Sequence, residues 1–156
     1  MRIVSVLENQ KIEQRIAVTP DIAKKYIALG FEVMLSEKYG EHLGFKDNDY
    51  KELGVQISKK ESEALSNADI IVQLGLLSDD NLALLKENQT LVGAFNPNVN
   101  KEKIENLSKK KINIFSLEML PRITRAQSMD ILSSQANLAG YKAVIESFAN
   151  FEKAIP

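Results

Sequence analysis

What most constrains this chain is an alternation: short apolar runs that read as strands recur along the sequence, each followed by a stretch of helical composition. Residues 2–7 read as the first strand, and a polar loop at 8–14 leads to Arg15. Thr19 followed by Pro20 marks a helix start, because the hydroxyl can take an orphan amide and proline's fixed φ suits the first turn. Gly30 is placed to end that helix. The next strand is read at 31–35, with Phe31, Val33 and Leu35 on one face and Glu32 on the other, followed by a loop at 36–46. A helix at 47–53 closed by Gly54, a weak strand at 55–57 and a helix at 59–65 come next. The pattern then repeats as strand 70–74, helix 79–86, strand 90–95, helix 101–110 and strand 112–117.

Such alternation predicts right-handed βαβ crossovers and an α/β fold: a mostly parallel sheet with helices on both faces, a flavodoxin-like or Rossmann-like three-layer arrangement. Parallel sheets of this kind take ligands at the carboxyl ends of their strands. The chain finishes differently. From 131 to 154 there is no proline and one glycine, which predicts a single helix of about 36 Å at 1.5 Å per residue. Ala136, Ala139, Gly140 and Ala143 form a narrow small-residue face on it, with Val144, Phe148 and Phe151 nearby. Periodicity alone leaves two readings open, packing on the chain's own sheet or a spine for a second domain. No repeat, low-complexity tract or polar linker suggests a boundary earlier than about Leu132, so the expected division is 1–132 and 133–156.

Composition narrows the function. With 156 residues, 44% apolar and 26% charged, the chain has the proportions of one soluble globular domain that can bury an ordinary core without staples. It has no cysteine, which removes disulfides, thiolate metal sites and cysteine nucleophiles and fits a reducing compartment. Twenty basic residues against twenty-one acidic ones are too balanced for a general nucleic-acid binder. Asp69 and Gln73 interrupt the most apolar stretch, 68–77, so no bilayer span is expected, and Met1-Arg2 does not open a targeting signal.

None of the seven glycines assembles into GxGxxG or a Walker loop, so the chain carries no recognisable phosphate-cradling turn. His42, the only histidine, lies in a glycine-bounded loop with no paired ligand and reads as an ordinary loop residue. Asp47 with Asp49, and Asp79 with Asp80, sit at helix starts where the helix dipole accounts for them, and no metal site is expected. The unusual stretch is 120–137 (LPRITRAQSMDILSSQAN), where Arg122, Arg125 and Asp130 are the only charges among Gln127, Ser128, Ser133, Ser134, Gln135 and Asn137. A guanidinium, a carboxamide and a carboxylate after a strand end can fix a planar polar ligand. Equally, Asp130 can cap the long helix and the arginines can pair with acids such as Glu118. Arg15 reads first as a solvated loop cation and second as an anion ligand.

The segments 15–20 (RIAVTP), 44–50 (GFKDNDY), 68–72 (ADIIV) and above all 121–141 (PRITRAQSMDILSSQANLAGY) resemble the amino-terminal domain of the alanine dehydrogenase and nicotinamide nucleotide transhydrogenase family. The last segment resembles the transhydrogenase α subunit more than alanine dehydrogenase. Alanine dehydrogenases carry a substrate lysine and a catalytic histidine where this sequence has Gly75 and Asn96, and Arg15 alone is weak support for binding an oxo acid. Hydride transfer between two nicotinamides needs no general acid, so the missing histidine is no obstacle to the transhydrogenase reading.

The resemblance implies an NAD(H)-binding component that exchanges hydride with NADP(H) held on a partner subunit, coupled to proton movement through a membrane component. It implies that Gln127 bridges toward the partner's NADP(H), that Arg122 and Asp130 hold the ring or carboxamide region of NAD(H), and that Ser133 adds a hydrogen bond. It also implies a homodimer in the full enzyme, a cytoplasmic position at the inner face of the membrane through partner subunits, and no metal. Members of the family continue past this helix into a Rossmann domain and then return to the first. The expectation is therefore that this chain is inactive alone and exposes apolar surface where the absent protein would pack. An alanine dehydrogenase-like oxidoreductase and a non-catalytic assembly module are the competing readings.

Overall fold

Six strands form one sheet in the computed structural model, which describes residues 1–153. They are β1 (Arg2–Ser5), β2 (Glu32–Ser36), β3 (Gln56–Ser58), β4 (Ile70–Val72), β5 (Thr90–Gly93) and β6 (Asn113–Ser116). Every adjacent pair is parallel, and the order is β3-β2-β1-β4-β5-β6. The connecting helices are α1 (Pro20–Ala28), α2 (Asp47–Glu52), α3 (Glu61–Ser66), α4 (Asp79–Ala83) and α5 (Lys101–Lys109). Two compact units are present, Met1–Ser116 and a second beginning at Leu117.

Local chemistry sets the boundaries. Thr19 caps α1 by accepting the Ile22 amide, and Pro20 opens the helix. Gly30, at φ +87, turns the chain into β2 through a left-handed conformation that costs other residues more. Gly93 answers a different need: a Cβ there would collide with the Gln73 carbonyl, so only glycine lets β5 run this close to the end of β4.

Register explains the two-sided core. Met34, Val4, Ile71, Leu91 and Ile114 are successive partners across the sheet and lie on one face. They belong to, or pack against, the cluster that includes Ala64 and Leu65 of α3, Leu82 of α4 and Leu107 of α5. On the opposite face Val33 and Leu35 join Ala23 of α1 and Tyr50 of α2. Each fully buried side chain of this size contributes roughly 1.5–3 kcal/mol. Over β4 to β6 that second face is less covered: Val72 and Val92 are half-buried and their registered neighbour Phe115 is 59% exposed.

A buried polar chain ties β1 to its neighbours. Ser5 donates its hydroxyl proton to Gln73 Oε1 at 2.8 Å, so the Tyr39 hydroxyl, 2.8 Å away, donates to Ser5 Oγ. Tyr39 in turn accepts the amides of Ala17 and Val18. Gln73 Oε1 also takes the Val6 amide, and its Nε2 reaches the Val6 carbonyl and Glu8.

The second unit holds 3-10 turns at Leu117–Met119 and Thr124–Met129, then α6 (Ile131–Ala149). The expected helix over 131–154 is corrected here to 19 residues, about 28 Å. It stops at Asn150, whose side chain turns back onto the Glu146 carbonyl while Phe151 makes a tighter bond to Phe148. The expected last residue, Ala154, lies outside the described residues. No residue of α6 is buried, and nothing lies within 4 Å of where a Gly140 Cβ would stand.

Candidate functional site

The segment 120–137 folds into the one local structure that gathers its polar groups. Pro121 and Ile123 lead in extended, the 3-10 turn then doubles back, and Ala126 is buried beneath it. Asp130 follows in an extended conformation as the N-cap of α6. One carboxylate oxygen accepts the amides of Leu132 (2.9 Å) and Ser133 (3.0 Å); the other accepts the Ser133 hydroxyl at 2.6 Å. These bonds, the Ser133 hydroxyl foremost, hold the Asp130 carboxyl below its ordinary 3.8, with Arg122 adding a smaller charge effect.

Arg122, Gln127, Asp130 and Ser133 all line one open concavity of about 320 Å³, together with Ile123, Thr124 and Ala126. The structure therefore brings together the four residues singled out from the sequence. Arg125 is exposed and is not part of this lining. Both readings of Asp130 hold at once, because capping uses about three of a carboxylate's four lone-pair sites and leaves one toward the concavity. Ser133 has spent its proton on Asp130, so toward a ligand it can only accept. The lining thus offers donors at Arg122, acceptors at Asp130 and Ser133, and both at Gln127, a set that fits a primary carboxamide.

A second cleft, of about 240 Å³, opens at the carboxyl ends of β1 and β4, where the chain reverses its direction across the sheet. Glu8, Glu13, Gly75, Asn100 and Lys103 are among its lining residues. Glu8 Oε1 takes the Leu74 amide at 2.6 Å, and burial raises its carboxyl above 4.5 despite the bonds from Leu74 and Gly75. Arg15 is not a simple solvated cation: its Nε and Nη2 fork onto both oxygens of Glu13 at 2.8 and 2.6 Å. Sequence reasoning misses the roles of Glu8 and Gln73, whose partners lie 65 to 68 positions away, beyond any local pattern.

The remaining candidates are structural. His42 donates from Nε2 to the Gln14 carbonyl and accepts from Gln10 at Nδ1, which ties two loops together. Asp49 takes the Lys46 amide at the start of α2, Asp47 takes the Lys38 amide, and Asp79 pairs with Lys103. Among the described residues no three acidic or histidine side chains converge to hold a metal, and no helix is long and apolar enough to cross a membrane.

Strand order and the capped turn define a doubly wound α/β domain with a small polar site after its last strand. Residues 5–139 match the family model described as alanine dehydrogenase/PNT, N-terminal domain, and the chain belongs to that family. It is similar to the first portion of the NAD(P) transhydrogenase subunit alpha of Rickettsia prowazekii, 41% identical over the whole of this chain, and spans 42% of that relative's length. Its fold matches the crystal structure of transhydrogenase from Sinorhizobium meliloti with a TM-score of 0.88 at 33% identity, covering 99% of this chain and 46% of that one. Alanine dehydrogenase 1 of Staphylococcus aureus is more distant, 24% identical over 93% of this chain and 38% of its own.

Proposed function

We propose that this chain is the first-domain portion of an NAD(P) transhydrogenase α subunit, and that its turn at 122–133 orients the nicotinamide of NAD(H). The observation that carries the reading is the convergence of Arg122, Gln127, Asp130 and Ser133 on one concavity whose acceptors are already fixed by the cap. A nicotinamide carboxamide presents an NH₂ and a carbonyl. Asp130 and Ser133 accept from the first and Arg122 donates to the second, which fixes the ring's rotation.

The cofactors supply the hydride chemistry; the protein's role is orientation. Gln127, exposed on the outer turn, reaches toward NADP(H) carried by a partner component. No proton changes hands at these residues, so the absence of histidine at Asn96 and of lysine at Gly75 removes nothing the reaction needs. The phosphates are gripped by the Rossmann portion of the subunit, in keeping with the lack of a glycine-rich turn here. Half-buried Val72 and Val92, exposed Phe115 and the unburied apolar residues of α6 suit further packing against that portion. Coupling to proton movement, a homodimeric full enzyme and a peripheral position at the membrane through partner subunits belong to the same proposal.

Complementation tests it. The chain is mixed with the carboxyl-terminal remainder of the related Rickettsia subunit and an NADP(H)-binding component, and reduction of an NAD analogue by NADPH is followed. A rate that requires this chain is expected, with none from the chain alone. Folded components that give no rate would reject the reading.

A further inference from the structure

At the reversal point of the sheet, two sets of anion-recognising donors are filled by the chain's own carboxylates. Glu8 Oε1 receives the Leu74 amide at 2.6 Å, the Gln73 side-chain amide at 3.1 Å and the Gly75 amide at 3.4 Å. Glu13 receives the Arg15 fork and also the Arg15 backbone amide, at 2.9 Å. Both carboxylates line the same cleft, and its other cation, Lys103, is engaged by Asp79 at 2.5 Å.

We propose that this crevice is a carboxylate-binding site that Glu8 and Glu13 occupy as internal ligands, so that the chain excludes small carboxylic acids from the place where sheets of this order take a substrate. A free acid would have to displace a tethered carboxylate, whose effective concentration is far higher than its own. It would then sit beside the displaced charge in a partly desolvated cleft, where like charges repel strongly. The exclusion is a specificity device: it bars amino acids and 2-oxo acids at this position whatever the turn at 122–133 binds.

The test titrates the full ¹⁵N-labelled chain with sodium acetate against sodium chloride at equal ionic strength. In the unmodified chain the Leu74 and Gly75 amides and the Arg15 Nε give no response specific to acetate. In Glu8→Ala, acetate enters, and the two amide resonances move saturably back toward their original positions. Glu8→Gln keeps an acceptor oxygen in place and stays unresponsive. In Glu13→Ala the acetate response appears at Arg15 Nε. The proposal is overturned if the unmodified chain responds as the variants do, or if folded variants respond to acetate no more than to chloride. Should Glu8→Ala not fold, Glu8→Asp, whose shorter arm withdraws the carboxylate, carries the same test alongside Glu13→Ala. Hydride transfer in the complemented enzyme is a separate readout, so failure here and failure of the transhydrogenase reading are distinguishable.

Discussion

Asp130 takes the hydroxyl of Ser133 at 2.6 Å on one oxygen while its other oxygen takes the Ser133 amide at 3.0 Å. One side chain thereby starts α6 and immobilises its neighbour's acceptor, and the two jobs have separable consequences. Asp130→Ala should fray the first turn, so hydrogen exchange at Leu132 and Ser133 quickens while the middle of α6 is unchanged. Asp130→Asn, which keeps one acceptor, should fall between. The carboxyl is held below 3.8, so capping is complete above that value and lost as pH falls through the lower folded value. Protection at these amides should therefore survive to about pH 4 and fade on further acidification.

Tyr39→Phe should cost about 2–3 kcal/mol, because the amides of Ala17 and Val18 and the Ser5 hydroxyl all lose their partner at once. Tyr50→Phe, which loses a single bond to the Val18 carbonyl, should cost about 1 kcal/mol. Burial pushes the Tyr39 phenol up to about 12, so the ranking should not change between neutral and mildly alkaline pH. Urea unfolding of the two variants checks the order; equal losses would contradict the network.

Two glycines should respond to alanine with opposite signs. Gly93→Ala drives a methyl into the Gln73 carbonyl and should cost about 3 kcal/mol or more. Gly140→Ala meets open space inside an exposed helix and should gain up to about 1 kcal/mol. Thermal unfolding of both decides it.

Glu8 gives stability a pH dependence of the opposite sense from Asp130. Burial raises its carboxyl above 4.5, so the folded chain binds its proton more tightly and stability declines as pH climbs from 4.5 through the folded value. Glu8→Gln should remove that decline. The difference in unfolding free energy between variant and parent should be smallest near 4.5 and rise to a plateau; a flat difference would contradict it.

Much of the fold is legible in the residues themselves. Thr19, Pro20 and Gly30 bound α1 because caps and turns are local chemistry, and each strand lies within a few positions of its expected place because alternation is local too. The gathering of Arg122, Gln127, Asp130 and Ser133 is legible as composition, while the geometry that makes Asp130 both cap and acceptor is not. Long-range polar chemistry escapes altogether: Gln73 reads as a break in an apolar run, yet it joins Ser5, Val6 and Glu8. The end of α6 departs from expectation because Asn150 stops a helix less conspicuously than glycine or proline.

The most direct test of the orienting turn is Gln127→Asn in the complemented enzyme, with the single-turnover hydride-transfer rate and the NADH dissociation constant measured side by side. Shortening this side chain by one methylene should misplace the rings and lower the rate by about tenfold or more, while NADH affinity changes by less than about threefold. An unchanged rate, or an affinity loss as large as the rate loss, would contradict the account.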